Sequence, residues 1–333
     1  MKKIKTAVIG VGSMGQHHVR VYQEMDRAEL VGIADVDRER VDQIAGRYGV
    51  NAYTDYQELL NKENPEAVSI AVPTTHHLQV ARDAMRSGAD LLIEKPIASN
   101  CDEAIEIINL SNQLGRKVMV GHIVRFEPVI QSLKDHLNNG EMGEIFQIVC
   151  RRTGPFPQRI RDVGVVVDLA PHDLDLMRFL SGDEPERLYA ETQQEVHTEH
   201  EDLVNALLHF QNGITGVLEI NWLTPVKTRD VLVLGECGMF RADSLNQHLY
   251  FYENAEANGE MWDNLRTLKG VREGEMRRLS IKQVEPLKAE LRGFLEAVIE
   301  DQPVPVSGQD GLMALRLAFA LVRSGNEKQV IEV

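Results

Sequence analysis

Short apolar runs alternate with helical patterns over the first third of the chain. The runs predict strands over 4–9, 30–34, 67–72, 91–93 and 117–120, and the segments between them predict helices over 15–26, 38–47, 76–87 and 100–114. The runs are apolar throughout instead of alternating with polar residues, which is typical of strands covered on both faces. Repetition of strand and helix in this order predicts a parallel, doubly wound sheet with right-handed crossovers.

The pattern changes after residue 122. Helices are predicted over about 128–137 and 168–180, a strand over 145–150 and a series of strands over 187–252. Two of these strands, 203–210 and 214–220, flank Gln211-Asn212-Gly213, which is a strong hairpin signal. Helices over 287–300 and 311–323 close the chain, and the polar stretch 253–275 has no assignment.

We therefore predict an α/β protein with two domains. Residues 1–122 carry the doubly wound parallel sheet, and residues 123–333 form an α+β domain with a large open, mainly antiparallel sheet. We also consider that the C-terminal helix packs back on the first domain.

The composition narrows the classes of partner. The chain has 333 residues and a net charge of −15, so it repels nucleic acid and anionic membranes unless its basic residues are clustered. Cys101, Cys150 and Cys237 are far apart, which argues against a disulfide framework and a zinc ribbon and favours a reducing compartment. No stretch approaches the ~20 apolar residues that a membrane span needs. We predict a cytoplasmic protein with no nucleic acid or membrane partner.

A glycine loop joins the first predicted strand to the first helix. In Gly10-x-Gly12-x-x-Gly15 the first glycine allows the tight turn, the second lets the backbone approach a pyrophosphate, and the third lets helix and strand pack closely. Asp35 follows the second strand, where a carboxylate binds the adenosine ribose diol and repels a 2′-phosphate. The first domain is thus predicted to be a Rossmann domain that binds NAD. Arg38 leaves NADP as the alternative, because a nearby arginine can accept a 2′-phosphate.

Two further motifs carry groups that can move a proton. Lys95 follows a strand at the carboxyl edge of the sheet, where ligands of open α/β sheets bind, and Pro96 restricts its backbone. Asp168 and His172 are four residues apart, so they share one face of a predicted helix. A carboxylate there fixes the tautomer of the imidazole, and histidine is well suited to accept a proton near pH 7.

Five motifs occur in order: Gly10-Val11-Gly12-Ser13-Met14-Gly15, Val72-Pro73-Thr74, Glu94-Lys95-Pro96, Arg125-Phe126 and Asp168-x-x-x-His172-Asp173-Leu174-Asp175. In this combination the chain resembles the glucose-fructose oxidoreductase, inositol dehydrogenase and rhizopine catabolism (Gfo/Idh/MocA) family over essentially its whole length. The resemblance implies a Rossmann domain followed by a substrate-binding domain whose open sheet forms an oligomer face, in a homodimer or homotetramer. It also implies an NAD-dependent oxidoreductase in which Lys95, Asp168 and His172 are catalytic.

We expect specific contacts within this scheme. The expected cofactor contacts are Gly10, Val11, Gly12, Ser13, Met14, Gly15, Asp35, Val72, Pro73, Thr74, His77, Glu94, Lys95 and Arg125. The expected substrate contacts are Lys95, His122, Arg159, Arg161, Asp168 and His172. His172 takes the proton of the reacting hydroxyl, Lys95 stabilises charge on the oxygen, and Asp168 orients His172. The sequence leaves open which of Lys95 and His172 is the immediate base.

The segment 151–161, just ahead of the Asp168 helix, contains several arginines. Arginine suits bidentate contact with phosphate, so this cluster in an acidic chain favours an anionic ligand, with salt bridges to acidic residues as the alternative. The stretch from Gly154 to Asp175 resembles the branch of UDP-N-acetylglucosamine 3-dehydrogenases, which implies oxidation of that 3-hydroxyl. A free polyol or sugar, as for myo-inositol 2-dehydrogenases, is the alternative substrate, and a non-catalytic NAD-binding regulator is the alternative class.

A second histidine motif invites a metal interpretation. His197 and His200 are three apart beside several acids, but this odd spacing directs the two rings to opposite faces of an extended chain. No metal site is predicted.

Overall fold

The computed structural model describes residues 3–157, 163–196, 199–256 and 271–333. These residues divide into two compact units. The first unit holds the chain up to Phe126 together with Val284–Arg316, and the second holds Glu127–Gln283 together with Leu317–Val333. The predicted domain boundary at residue 122 stays a prediction.

The first unit contains a six-stranded parallel sheet with strand order β3-β2-β1-β4-β5-β6 and helices between successive strands. Its elements are β1 (Ile4–Ile9), α1 (Gly15–Glu24), β2 (Ala28–Ala34), α2 (Arg38–Tyr48), β3 (Asn51–Tyr53), α3 (Tyr56–Glu63), β4 (Ala67–Ile70), α4 (His77–Arg86), β5 (Asp90–Glu94), α5 (Cys101–Leu114) and β6 (Val118–Gly121).

Local chemistry sets the ends of these helices. Asp37 caps α2 by accepting a hydrogen bond from the Arg40 backbone N–H, and Gly49 ends the helix in the left-handed conformation. Asn100 caps α5 in the same way. Every residue of β4 is buried, which matches the unbroken apolar run in the sequence. The short β3 and α3 were not predicted. The three residues of β3 are exposed or half-buried, so they form no apolar run that would indicate a strand.

The second unit contains a nine-stranded sheet with order β14-β13-β12-β11-β7-β10-β9-β8-β15. β7 and β10 are parallel, and the other neighbouring pairs among the described strands are antiparallel. The elements are α6 (Pro128–Asn138), β7 (Ile145–Pro155), α7 (Val165–Ser181), β8 (Pro185–Gln193), β9 (Leu203–Phe210), β10 (Thr215–Asn221), β11 (Leu223–Gly235), β12 (Gly238–Asp243), β13 (His248–Glu256), β14 (Val271–Leu279) and β15 (Ile331–Glu332).

Helices cover one face of the nine-stranded sheet. α7 packs on β7, β9 and β10, and α6 packs on β12 and β13. The strands alternate between buried and more exposed residues, as in β9. The predicted fold class is confirmed. β14 (Val271–Leu279) begins within the polar stretch 253–275 that the sequence left unassigned.

Two helices follow the second sheet, α8 (Pro286–Ile299) and α9 (Gly308–Glu327). The sequence placed residues 123–333 in the second domain, with packing of the C-terminal helix on the first domain also considered. α8 and the first part of α9 belong to the first unit. The reason is their apolar face: Leu291, Phe294 and Leu315 are part of the core that surrounds the parallel sheet.

The helices of the described ranges include none that is both long and apolar enough to span a bilayer.

Candidate active site

The three glycines of the loop after β1 have different surroundings. Gly10 has a φ of +86°, and a Cβ there would lie 2.6 Å from the Ala71 carbonyl oxygen. A Cβ on Gly15 would lie 1.8 Å from the Gly10 carbonyl oxygen. A Cβ on Gly12, by contrast, would meet no atom of the described chain within 4 Å. Gly10 and Gly15 are therefore required by packing, and Gly12 leaves the space into which a pyrophosphate would fit.

Asp35 is held in place at the end of β2. Its carboxylate accepts hydrogen bonds from the backbone N–H of Val11 at 2.8 Å and of Asp37 at 3.0 Å. Arg40 donates to it from 3.3 Å, and the Asp35 side chain is only 7% exposed. The sequence had named Arg38 as the nearby cation, but Arg38 is exposed and faces Asp42. The residue that could accept a 2′-phosphate beside Asp35 is thus Arg40.

A cavity of about 730 Å³ opens beside the glycine loop. This volume is within the usual range for small-molecule sites. Glycine-loop and α2 residues line it: Val11, Gly12, Ser13, Gln16, Arg40, Gln43, Ile44 and Arg47. Backbone N–H groups and arginines in this arrangement suit an anionic nucleotide, so the residues present fit a dinucleotide.

Lys95 is half-buried directly after β5. The preceding carboxylate of Glu94 lies 3.0 Å from Nε2 of His18, which is fully buried on α1. On β6, a Cβ on Gly121 would lie 3.2 Å from the Glu94 carboxyl group, so the glycine leaves room for it. Helix α1 and strand β6 thus fix the residue that precedes the lysine. The sequence identified Glu94 but gave His18 no role in its positioning.

Glu290 of α8 is buried near Glu94. Neither of its carboxyl oxygens has a hydrogen-bond partner among the described residues, and neither has Nδ1 of His18. Burial holds the pKa of Glu290 well above its ordinary value, and the charge of Glu94 raises it further. The protonated form of Glu290 is therefore favoured. We call His18, Glu94 and Glu290 the acid cluster.

The turn after β4 contains Val72, Pro73 and Thr74, which are half-buried or exposed. It leads to His77, whose side chain is buried with Nδ1 at 2.9 Å from the Pro96 carbonyl oxygen and Nε2 at 3.0 Å from the Val72 carbonyl oxygen. Burial lowers the pKa of His77, although these hydrogen bonds oppose the shift. His77 joins the Val72 turn to the Lys95 turn. Its predicted contact with the cofactor stays a prediction.

His122 and Arg125 follow β6, and both are buried in the first unit. Arg125 forms an ion pair with Asp310 of α9 at 3.1 Å. This ion pair holds the start of α9. The predicted contact of Arg125 with the cofactor stays a prediction.

Asp168 and His172 lie on α7 in the second unit, four residues apart in a helix that contains Pro171 between them. They therefore share a face, and both side chains are half-buried. The start of α7 is held by Glu201: its carbonyl oxygen accepts from the Val165 N–H at 2.9 Å, and its carboxylate accepts from the Val166 N–H at 3.2 Å.

Asp173, next to His172, is clamped to the sheet by Arg152 of β7. Arg152 donates two hydrogen bonds to it, at 2.6 and 3.0 Å, and both side chains are buried. Arg151, on the opposite face of the strand, pairs with Glu219 at 2.6 Å. Arg151 and Arg152 therefore form the salt bridges that the sequence left as the alternative to ligand binding.

Some predicted residues lie outside the described residues: Arg159 and Arg161 of the proposed substrate set, and His197 of the histidine motif. Within the part of the chain that the structure describes, no group of three or more His, Cys, Asp or Glu side chains is arranged to hold a metal ion. Asp202, beside the histidine motif, accepts hydrogen bonds from the backbone of Glu195 and Val196.

Comparison with known proteins gives two matches in succession. The model of the GFO/IDH/MocA oxidoreductase family with an NAD-binding Rossmann fold matches residues 4–122, and that of the GFO/IDH/MocA C-terminal domain matches residues 130–241. The chain belongs to this family. The predicted resemblance is confirmed, as is the prediction of an oxidoreductase with an NAD-binding Rossmann domain.

Relatives extend over nearly the whole chain. A UDP-N-acetylglucosamine 3-dehydrogenase from Acidithiobacillus ferrooxidans is 30% identical over 319 residues, which cover 96% of each chain. A myo-inositol 2-dehydrogenase from Thermotoga maritima is 26% identical over 342 residues, covering 99% of this chain and 98% of the relative.

Solved structures with similar folds also extend over nearly the whole chain. The A. ferrooxidans enzyme superimposes with a TM-score of 0.85 at 29% identity, covering 97% of this chain and 98% of that one. An oxidoreductase from Agrobacterium radiobacter, in complex with NAD+, L-tartaric acid and magnesium, has a TM-score of 0.86 at 21% identity, covering 99% and 98%. The second likeness concerns the fold alone.

Proposed function

We propose that the protein oxidises a secondary hydroxyl group of a sugar with NAD, and that this is the 3-hydroxyl of UDP-N-acetylglucosamine. One observation carries the chemical part: Asp168 and His172 are four residues apart on helix α7, which continues through Pro171 between them. A carboxylate so placed orients an imidazole and stabilises its protonated form, which is what a general base needs. The substrate is supported by 30% identity, over 96% of both chains, to the dehydrogenase of that name.

NAD fits the residues of the first unit. Open space beside Gly12 would take the pyrophosphate, and the Asp35 carboxylate would bind the adenosine ribose. When bound, the nicotinamide supplies the hydride acceptor. We favour NAD over NADP because two backbone N–H groups hold the Asp35 carboxylate where it repels a 2′-phosphate. Arg40 is the residue that would weaken this preference.

The proton of the reacting hydroxyl passes to His172, and Asp168 stabilises the imidazolium that forms. The Lys95 ammonium donates to the same oxygen and stabilises the negative charge that develops there as the carbonyl forms. Lys95 remains the alternative acceptor of the proton. The proposal therefore requires both side chains to serve one hydroxyl group.

Oxidation of a free polyol is the second candidate, because the similarity to myo-inositol 2-dehydrogenase covers as much of the chain, at 26% identity. A non-catalytic NAD-binding regulator is the third. Such a protein would bind NAD and produce no NADH with either substrate.

We also propose that the protein forms a homodimer or homotetramer through the open face of the nine-stranded sheet. Leu207, Val217, Val149 and Leu232 are neighbours in register on four adjacent strands, on the face opposite the buried Ile148 and Cys150. Leu207 is 54% exposed. An apolar row on such a face is suited to association. Light scattering should give a multiple of the chain mass, and Leu207→Lys should reduce it.

Absorbance at 340 nm tests the reaction. Protein at the same concentration as NAD should give NADH with UDP-N-acetylglucosamine, and mass spectrometry should find a product lighter by two hydrogen atoms. Hydrazine, which traps ketones, should increase the yield if oxidation is unfavourable at equilibrium. NADH from myo-inositol alone would overturn the substrate, and NAD binding without NADH from any sugar would favour the regulator.

A further inference from the structure

Four ionisable side chains of the second unit form a cluster beside α7, in addition to the acid cluster of the first unit. Arg152 of β7 and Arg229 of β11 are register partners on adjacent strands, so their side chains lie on the same face of the sheet. Asp173 of α7 and Glu127, which precedes α6, complete the group. We call these four residues the arginine cluster.

The two arginines of this cluster have different partners. Arg152 is fully engaged by the two oxygens of Asp173. Arg229, in contrast, has no ion pair or side-chain hydrogen bond with any residue of the described ranges. Burial and the positive charge of Arg152 both lower the pKa of Arg229. A half-buried guanidinium beside a like charge is unfavourable unless another group compensates it.

Glu127 supplies only part of that compensation, because its charge raises the pKa of Arg229 without outweighing burial and Arg152. Its carboxyl group is largely buried, and Oε2 has no hydrogen-bond partner among the described residues. Burial raises the pKa of Glu127, although a hydrogen bond from Ser244 and the charges of Arg152 and Arg229 oppose the shift. Glu127 and Asp173 both lie near enough to act on Arg229 electrostatically, but neither is within 4.0 Å of it. The donors of Arg229 thus stay available.

The position of Arg229 relates it to the proposed reaction. Asp173 follows His172 directly in α7, so the arginine cluster adjoins the helix that carries the proposed base. Arginine donors in a planar fork bind phosphate and carboxylate groups in a bidentate manner. The net charge of −15 disfavours anions elsewhere, so a local cation is needed to bind one.

We infer that Arg229 is a substrate-binding residue that takes a phosphate group of an anionic sugar substrate and so determines specificity for it. This inference rests on the proposed function, because UDP-N-acetylglucosamine carries a diphosphate. Arg152 holds the helix through Asp173, and Arg229 contacts the ligand.

Binding of UDP tests this role without turnover. With NAD at saturation, titration calorimetry should show that Arg229→Gln weakens UDP binding by at least ~10-fold, because a charge-assisted bidentate contact is lost. Arg187→Gln removes the same charge from an exposed strand of the same unit and should leave UDP affinity unchanged. Arg229→Lys should give an intermediate affinity. Circular dichroism and the Tm of each variant show whether it is folded.

The outcomes separate this inference from the proposed function. Loss of UDP affinity in Arg229→Gln, without NADH formation by the wild type, supports the anion site and contradicts the reaction. NADH formation with an unchanged KM in a folded Arg229→Gln protein contradicts the site and leaves the reaction standing. Failure of the wild type to bind UDP also overturns the site. If myo-inositol is oxidised, its KM should not change in Arg229→Gln, since this substrate has no charge.

Discussion

The acid cluster and the arginine cluster bury polar side chains in opposite ways. In the first unit, Glu290 is buried near another carboxylate and forms no hydrogen bond or ion pair within the described ranges, and its pKa is raised. In the second unit, Asp173 is buried in a two-point contact with a cation. An acid buried alone keeps its proton, whereas an acid buried with arginine keeps its charge. The two clusters should therefore respond differently to mutation and pH.

The difference also bears on function. The acid cluster adjoins Lys95 through Glu94, and the arginine cluster adjoins His172 through Asp173. Lys95 directly follows Glu94, and His172 directly precedes Asp173. Each of these two carboxylates contacts a residue that is distant in sequence. Three stability experiments follow, and the first should have the largest effect.

Arg152→Met should have the largest effect on stability, because it leaves the Asp173 carboxylate buried without its partner. The free energy of unfolding should fall by about 3–5 kcal/mol, measured by urea denaturation. Arg151→Met is the matched control at the preceding position of the strand. The ion pair of Arg151 is exposed, so the free energy of unfolding should fall by no more than about 1 kcal/mol. Equal losses in the two variants would contradict a stabilising role for the buried ion pair between Arg152 and Asp173.

Glu290→Gln should make stability less dependent on pH. The pKa of Glu290 is raised in the folded state, so its contribution is fully present below its unfolded pKa and is lost as pH rises toward its folded pKa. The variant should therefore gain stability relative to wild type above about pH 4.3, by up to about 1.4 kcal/mol per pH unit until the folded pKa is reached.

Denaturation between pH 5 and 9 measures this difference. Glu296→Gln is the control, because it makes the same substitution at an exposed position of the same helix. A constant difference between Glu290→Gln and wild type over this range would show that Glu290 is ionised in the folded protein.

Glu201→Ala should have the smallest effect on stability, about 1 kcal/mol, because it removes one hydrogen bond at the start of α7. Glu201→Gln keeps an oxygen acceptor and should recover most of the loss in urea denaturation. If Gln destabilises as much as Ala, the charge of Glu201 is what matters at this helix start.

Local motifs were predictable from the sequence, and long-range contacts were not. The glycine loop and the Asp168/His172 helix depend on residues a few positions apart, so periodicity and spacing reveal them. Glu290 comes near Glu94, almost two hundred positions earlier, and only a polar residue on an apolar helix face hinted at it. The choice between Arg38 and Arg40 depends on the geometry of α2, which spacing does not determine. Arg229 was missed because it stands outside any motif.

The central claim is that Lys95 and His172 both act on the reacting hydroxyl group. The most direct test is turnover of Lys95→Ala and His172→Ala, followed as NADH at 340 nm, together with NAD affinity by titration. We expect each variant to lose at least ~10²-fold in kcat while it keeps most of its affinity for NAD. Near-normal turnover in either variant would contradict the role given to that residue.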